Sequence, residues 1–352
     1  MYIPNFKELD KLSDEGYLRK VISPCGNLVL YNYSDKCTFE RNWNEHTLNS
    51  RGTIYEISTG KVVSYSFPKF FNFSELSESK QASLMSSKNF TTYEKMDGSL
   101  GNIYYYNNKW NVATRGSFSS DQAIEAEKIL HEKYDVSVLD KSLTYLVEII
   151  YPENKIIVDY GKDRKLVLLN ILSKKGEEFN IDYFCSQFER PKSFKFDHIQ
   201  EVLNHVKTLP YSEEGYVVKL LNGFRVKFKG DEYLNVARMV SRISPLAIWE
   251  KMVDGRVDRS FLESLPEEFR NEYESITQNL EDLYSITYSD IILEFQNYKG
   301  MTPKELGLSL NHIPHDYSSA FFELLKDDCH IPEKLIMRLI KPKGNTMREL
   351  NG

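Results

Sequence analysis

The hydrophobic period changes once along this chain, beyond Tyr233, and that change constrains the fold more than any local motif. Before it, short runs of alternating apolar and polar residues (26–33, 52–57, 100–106, 110–114), an apolar run at 143–150 and further strand-like runs at 156–158 and 166–172 are separated by turn residues and polar stretches such as 41–44. This is the pattern of strands, whose successive side chains face opposite ways. After it, strand signals vanish, and residues 236–253, 266–299, 302–311, 316–326 and 332–340 carry apolar side chains at helical spacing. Ser264-Leu265-Pro266-Glu267 and Thr302-Pro303-Lys304-Glu305 each combine a hydroxyl cap, a proline in the first turn and a glutamate able to close a capping box. The expectation is an α+β unit of antiparallel sheets with flanking helices over residues 1–238, followed by a smaller all-α unit over 239–352.

Charge and composition narrow the function classes. The net charge of −6 argues against indiscriminate coating of nucleic acid, which rests on many phosphate-neutralising cations. The deficit is uneven: from Ala237 onward there are 14 Lys and Arg against 19 Asp and Glu, which leaves the first unit near neutrality. No apolar run approaches the 18 residues of a membrane span, and the first ten residues lack the pattern of a signal peptide, so a cytoplasmic protein with no membrane partner is expected. Cys25, Cys37, Cys185 and Cys329 are scattered, which points to neither a zinc site nor a disulfide framework. His312 and His315 flank Pro314 without a third ligand nearby and read as a loop.

The chemistry concentrates at Tyr93-Glu94-Lys95-Met96-Asp97-Gly98. Asp-Gly between two strand-like runs reads as a tight hairpin turn, which would set Lys95 on a rigid rim. A lysine near other cations favours its neutral form, and only the neutral amine attacks an electrophile. Downstream, Glu213-Glu214-Gly215-Tyr216-Val217-Val218-Lys219 leads through Asn222-Gly223 into Phe224-Arg225-Val226-Lys227-Phe228-Lys229, a strong hairpin signal. Arg225, Lys227 and Lys229 fall at period two and share a face, which needs an anion across it. Glu148 stands alone inside the apolar run 143–150, where a charge requires a partner or a task. Arg51-Gly52, Lys69 among aromatics, and Arg115-Gly116-Ser117 supply further cations at strand edges.

Taken together, Lys95-Met96-Asp97-Gly98, Tyr145-Leu146-Val147-Glu148, Glu214-Gly215-Tyr216-Val217 and Lys227-Phe228-Lys229 resemble, in order, the motifs of the covalent nucleotidyltransferases, the superfamily of ATP-dependent ligases and mRNA capping enzymes. Within it the chain is most similar to the RNA ligase 1 family of T4-like phages, through Arg51-Gly52, Lys69-Phe70-Phe71-Asn72, Arg115-Gly116-Ser117 and residues 151–158. Where that family commonly has lysine before Gly-Ser, this chain has Arg115.

The resemblance implies a nucleotidyltransferase (ATP-grasp-like adenylation) domain and an ATP-dependent RNA ligase acting through lysyl-AMP and RNA-adenylate. Lys95, Lys227 and Lys229 would be catalytic. Arg51, Lys69, Phe71, Glu94, Gly98, Arg115, Glu148, Gly215 and Val217 would bind the nucleotide, with Tyr145 a further candidate beside the adenine. Glu214 and Glu148 would associate with Mg2+, or Mn2+ in its place. The implied partner is RNA with 3′-hydroxyl and 5′-phosphate ends, including a nicked tRNA anticodon loop, sealed by a monomer in the host cytoplasm if phage-encoded. The helical tail, with Lys334, Arg338, Lys341, Lys343 and Arg348 on one basic edge, would select the RNA. The alternatives are a DNA ligase of the same superfamily and a catalytically silent RNA-binding module.

Overall fold

A computed structural model describes residues 4–181, 187–240, 243–255, 267–309, 313, 317–326 and 330–342. Cys185, Cys329, His312, His315, Lys343 and Arg348 lie outside the described residues. The chain divides into two compact units, Met1–Val236 and Ala237–Gly352.

The first unit is built on strands β1 (Leu18–Ile22), β2 (Leu28–Tyr33), β3 (Arg51–Glu56), β4 (Val62–Ser64), β5 (Phe90–Glu94), β6 (Ser99–Tyr106), β7 (Lys109–Thr114), β8 (Leu143–Ile150), β9 (Lys165–Ser173), β10 (Glu178–Phe179), β11 (Ser193–Phe194), β12 (Gly215–Leu220) and β13 (Arg225–Lys229). They form three antiparallel sheets, ordered β1-β2-β3-β4, β10-β9-β8-β6-β7 and β11-β5-β12-β13. Helix Asp121–Lys133 buries Ala126, Ile129 and Leu130 with Ile103, Trp110, Tyr145 and Leu168 of the five-stranded sheet. Helix Ile199–Val206 buries Val202 and Val206 with Tyr216, Val218, Val226 and Phe228 of the third sheet. Apolar faces of sheets and helices thus close on one another, the ordinary source of stability for such layers.

Two local expectations change. Asp97-Gly98 is not a hairpin turn. β5 pairs with β11 and β12, whereas β6 pairs with β7 and β8, so residues 95–98 carry the chain from one sheet to another. Residues 156–158, expected as a strand, form a bend, because the amides of Ile157 and Val158 donate to the Asp97 carboxylate (2.9 and 2.8 Å) rather than to a ladder. The Asn222-Gly223 hairpin forms as read, with Gly223 at φ 84° and Val217 opposite Lys227.

Gly215 opens β12 at φ 138°, and a Cβ there would stand 2.0 Å from the Phe228 carbonyl oxygen. Only glycine lets Glu214 and Lys229 approach across this strand pair.

The second unit carries helices and no strand among its described residues. Its helices span Pro245–Val253, Glu267–Phe295, Pro303–Leu308, Ser318–Leu324 and Glu333–Leu339, and the division between units falls within helix Asp231–Val240. Thr302 and Glu305 close the anticipated capping box. Phe295, Leu306, Phe321, Leu324 and Ile336 form its core. Among the described basic residues of the tail, Lys341 lies 5.0 Å from the Trp249 ring centroid and Arg338 donates to Ser319 (3.5 Å). No described helix is long and apolar enough to cross a membrane.

Candidate active site

Lys95 follows directly from the end of β5, and its backbone N–H donates to the Gly215 carbonyl at 2.9 Å. That bond ties the lysine to the start of β12, next to Glu214. The Lys95 ammonium donates to Glu214 Oε2 at 2.6 Å, and the other oxygen of the same carboxylate pairs with Lys229 at 2.7 Å. The Glu214 side chain is 3% exposed, those of Lys229 and Lys95 8% and 20%. One buried carboxylate therefore clasps two ammonium groups that approach from different strands. Charge-assisted bonds in so dry a setting fix geometry strongly.

Two further carboxyl groups complete this layer. Asp97 is buried and accepts from Ile157 N, Val158 N and the Tyr233 hydroxyl (2.8 Å). Burial, and then the negative charge of Glu214, raise its carboxyl above the usual range. Glu148 stands opposite Leu100 in the ladder between β6 and β8. Burial pushes its carboxyl up to about 8, with Glu214 and Asp97 adding to the rise and Lys95 and Arg51 opposing it. A Cβ on Gly98 would meet the Ile149 carbonyl at 2.7 Å and Glu148 Cγ at 3.1 Å, so the chain passes Glu148 closely only because residue 98 is glycine.

Aromatic rings organise the remaining cations. Arg51 lies 5.7 Å from the Phe70 ring centroid, and Lys227 lies 5.7 Å from the same ring. The Lys227 amide donates to the Phe71 carbonyl (3.0 Å), which splices β13 to the Lys69-Phe70-Phe71-Asn72 segment. The Lys69 ammonium sits 4.5, 5.5 and 5.8 Å from the ring centroids of Phe71, Trp43 and Tyr33. Arg115 packs on Tyr33 from 5.8 Å and donates to its hydroxyl at 3.4 Å. A Cβ on Gly52 would meet Arg115 Cα at 2.9 Å, so this glycine sets how closely Arg51 and Arg115 approach. Cations held against ring faces are partly desolvated, which strengthens their attraction for an anion.

Of the residues singled out in the sequence, Lys95, Glu214, Gly215 and Lys229 share one cluster of contacts. Glu148 faces it electrostatically, and Arg51 with Lys227, and Lys69 with Phe71, stand on adjoining rings. Glu94 and Val217 are half-buried on neighbouring strands, Glu94 accepting from Lys192 N at 3.3 Å. Arg225 stands apart, engaging both oxygens of Glu178 at 2.7 and 2.8 Å. Burial alone would raise the Glu178 carboxyl, but Arg225 and Lys219 reverse this and hold it at about 2. Arg225 is thus committed to an ion pair of the framework. Tyr145 packs in the core, its hydroxyl accepting from Asp140 N at 2.8 Å, and offers no face to a base. Tyr33, Trp43 and the acceptor role of Asp97 were not legible in the sequence. Residues 41–44 read as a polar linker, and Asp97 read as a turn.

Among the described residues no group of three or more His, Cys, Asp or Glu side chains is placed to hold a metal. Glu214 has both oxygens on lysines and Asp97 is engaged by amides and a hydroxyl, so as a metal ligand Glu214 would have to release a lysine. Such a donor set fits an ion carried mainly by phosphate oxygens, as magnesium usually is, better than one caged by protein carboxylates.

Glu148 carries a stability consequence. Its proton is held in the fold to about pH 8 but lost from the unfolded chain near 4.5, so the fold binds more protons between these values. Stability attributable to it therefore falls as pH rises from 4.5 to 8. Glu148→Gln is expected to raise unfolding free energy at pH 8, by up to about 4 kcal/mol, and to flatten its pH dependence in that window. Urea titrations of both proteins at pH 5 and pH 8 test this, and a Gln variant less stable than wild type at pH 8 contradicts it.

Residues 49–233, just over half of the chain, match a family model described as RNA ligase. A protein of Autographa californica nuclear polyhedrosis virus named as a bifunctional polynucleotide kinase/RNA ligase is 33% identical over 270 residues, which cover 68% of this chain and 38% of that one. The RNA ligase of Rhodothermus phage RM378 is 22% identical over 344 residues, covering 76% and 77%. A solved structure from Aquifex aeolicus, described as an ATP-dependent DNA ligase, aligns over 91% of this chain and 80% of its own at TM-score 0.49 and 16% identity. This chain spans little more than a third of the baculovirus protein's length, and the structural likeness is too distant to carry an argument. The family match, on the residues that build the two-lysine clasp and its ring of cations, places the chain in the RNA ligase family.

Proposed function

We propose that this chain is an ATP-dependent RNA ligase that joins a 3′-hydroxyl to a 5′-phosphate through adenylate carried on Lys95. The observation that carries the reading is Glu214 clasping Lys95 and Lys229 at 2.6 and 2.7 Å. The clasp presents one amine to an anion while a second cation, with Lys227, Arg51, Lys69 and Arg115 around it, receives the phosphates.

In the first step the neutral Lys95 amine attacks the α-phosphorus of ATP, the bond to the β-phosphate oxygen breaks, and pyrophosphate leaves. Glu214 Oε2, already within hydrogen-bond distance, is the nearest acceptor for the ammonium proton. A 5′-phosphate oxygen of RNA then displaces the lysine from the adenylate phosphorus. Finally the 3′-hydroxyl attacks the RNA 5′-phosphorus and AMP leaves. Such transfers need positioning and charge neutralisation more than further covalent help, which is what five cations around one nucleotide provide. Magnesium, when bound on the phosphates, would neutralise charge developing on the leaving pyrophosphate. Glu148 would hold ribose hydroxyls or the metal region, Glu94, Phe71 and Val217 would surround the base, and Gly98 and Gly215 would allow close backbone approach. The helical second unit would choose among RNAs, a nicked tRNA anticodon loop being the substrate the resemblance implies.

The test incubates the protein with α-labelled ATP and magnesium, then supplies nicked anticodon stem-loop RNA or the equivalent DNA. The expected result is labelled protein whose label is discharged to RNA and lost as free AMP on sealing. Unlabelled protein overturns the enzyme reading, and preferential sealing of DNA selects the DNA ligase alternative.

A further inference from the structure

Trp43 lies before the stretch that matches the family model, in a segment that reads as a plain loop, yet it stands at the centre of the cage around Lys69. Its ring meets Tyr33 edge-on at 5.2 Å and 80°, and Phe71 edge-on at 5.4 Å and 81°. These are the two other rings that face the Lys69 ammonium, and Lys69 itself is 6% exposed. The backbone beneath Trp43 is tied down on both sides. Arg41 adopts φ 50°, the Trp43 amide donates to the Arg41 carbonyl at 2.7 Å, and Thr47 Oγ1 donates to the Asn42 carbonyl at 2.8 Å. The Lys69 amide donates to Leu48 O at 2.7 Å, which fixes the two segments in register. A flexible four-carbon side chain is thereby held to one direction, its charge desolvated on three ring faces rather than neutralised by them.

We propose that Trp43 is a positioning residue for ATP: it locks Tyr33 and Phe71 around Lys69 so that the ammonium points at the end of the triphosphate that leaves as pyrophosphate. The proposal rests on the reading of Lys69 as a nucleotide ligand and goes beyond it in one respect. Only the ATP-consuming step contains a triphosphate, so Trp43 acts in that step and not in the joining of RNA that already carries a 5′-adenylate.

Two reactions of the full chain test this: self-adenylylation at varied ATP, and sealing of pre-adenylated RNA without ATP. Trp43→Ala and Trp43→Leu, the second filling space without a π face, are expected to lower kcat/KM for ATP about tenfold, chiefly through KM. Trp43→Phe is expected to stay within about threefold of wild type, because it restores an aromatic face. Sealing of pre-adenylated RNA should change less than about twofold in all three, which a general loss of folding would not allow. Lys69→Ala combined with Trp43→Ala should be no worse than Lys69→Ala alone, since the tryptophan acts through the lysine. The proposal is overturned if Trp43→Leu keeps wild-type use of ATP, if both reactions fall together, or if the Lys69 and Trp43 losses multiply. Wild-type protein that takes no adenylate would instead remove the ligase reading on which the proposal stands.

Discussion

Lys95→Ala is expected to abolish the transfer of adenylate from ATP to the protein, a loss of at least about a thousandfold, while retaining measurable sealing of RNA supplied with a 5′-adenylate. The asymmetry follows from where bonds form. In the proposed scheme the amine is consumed only when adenylate is captured from ATP, and joining proceeds by attack of a 3′-hydroxyl on RNA. Lys95→Arg should fail equally at capture, because a guanidinium stays protonated and has no lone pair to offer. Radiolabelling with ATP, run beside sealing of pre-adenylated RNA, separates the two steps. An alanine variant that still takes up label would place the nucleophile elsewhere.

Glu214→Gln is expected to injure both the fold and the chemistry. Glutamine keeps the shape but removes the charge between two ammonium groups whose side chains are 20% and 8% exposed. Removing one partner from a buried ion pair costs about 3–5 kcal/mol, because the remaining charge is left without compensation. Here two charges are left, so a fall of at least about 3 kcal/mol in unfolding free energy at pH 7 is expected, with a loss of labelling exceeding about a hundredfold. Urea titration and the adenylylation assay at saturating ATP measure the two effects. The contrast with Glu148→Gln is diagnostic, since there the charge is the burden and its removal should stabilise. Two isosteric substitutions in one cluster would then shift stability in opposite directions. If Glu214→Gln left stability unchanged, the clasp would not be the element that holds β12 and β13 to Lys95.

Much of this could be seen in the residues alone, and the reasons for the remainder are physical. Alternation and Asn-Gly chemistry are local, so the β12–β13 hairpin, with Lys227 and Lys229 on its shared face, was legible. The period change beyond Tyr233 likewise anticipated the helical second unit, whose Thr302 cap formed as its spacing required. Strand partnership is not local. The same Asp-Gly that makes a hairpin turn also suits a passage between sheets, and nothing in residues 93–100 tells the two apart. Nor can a period reveal that Ile157 and Val158 give their amides to a carboxylate sixty residues upstream. Glu148 was conspicuous as a charge in an apolar strand, whereas Arg225 looked equivalent to Lys227 until Glu178 arrived from β10 to pair with it. Tyr33 and Trp43 were hidden most fully. Aromatic residues usually serve the core, and only the fold brings these two against Lys69.

The central claim is a covalent one and is tested most directly by locating the adduct. Wild-type protein incubated with ATP and magnesium, then digested under non-acidic conditions and mapped by mass spectrometry, should carry a single adenylate on the peptide containing Lys95, removed on addition of 5′-phosphorylated RNA. Protein that seals RNA yet carries no adenylate, or carries it on a different residue, contradicts the account.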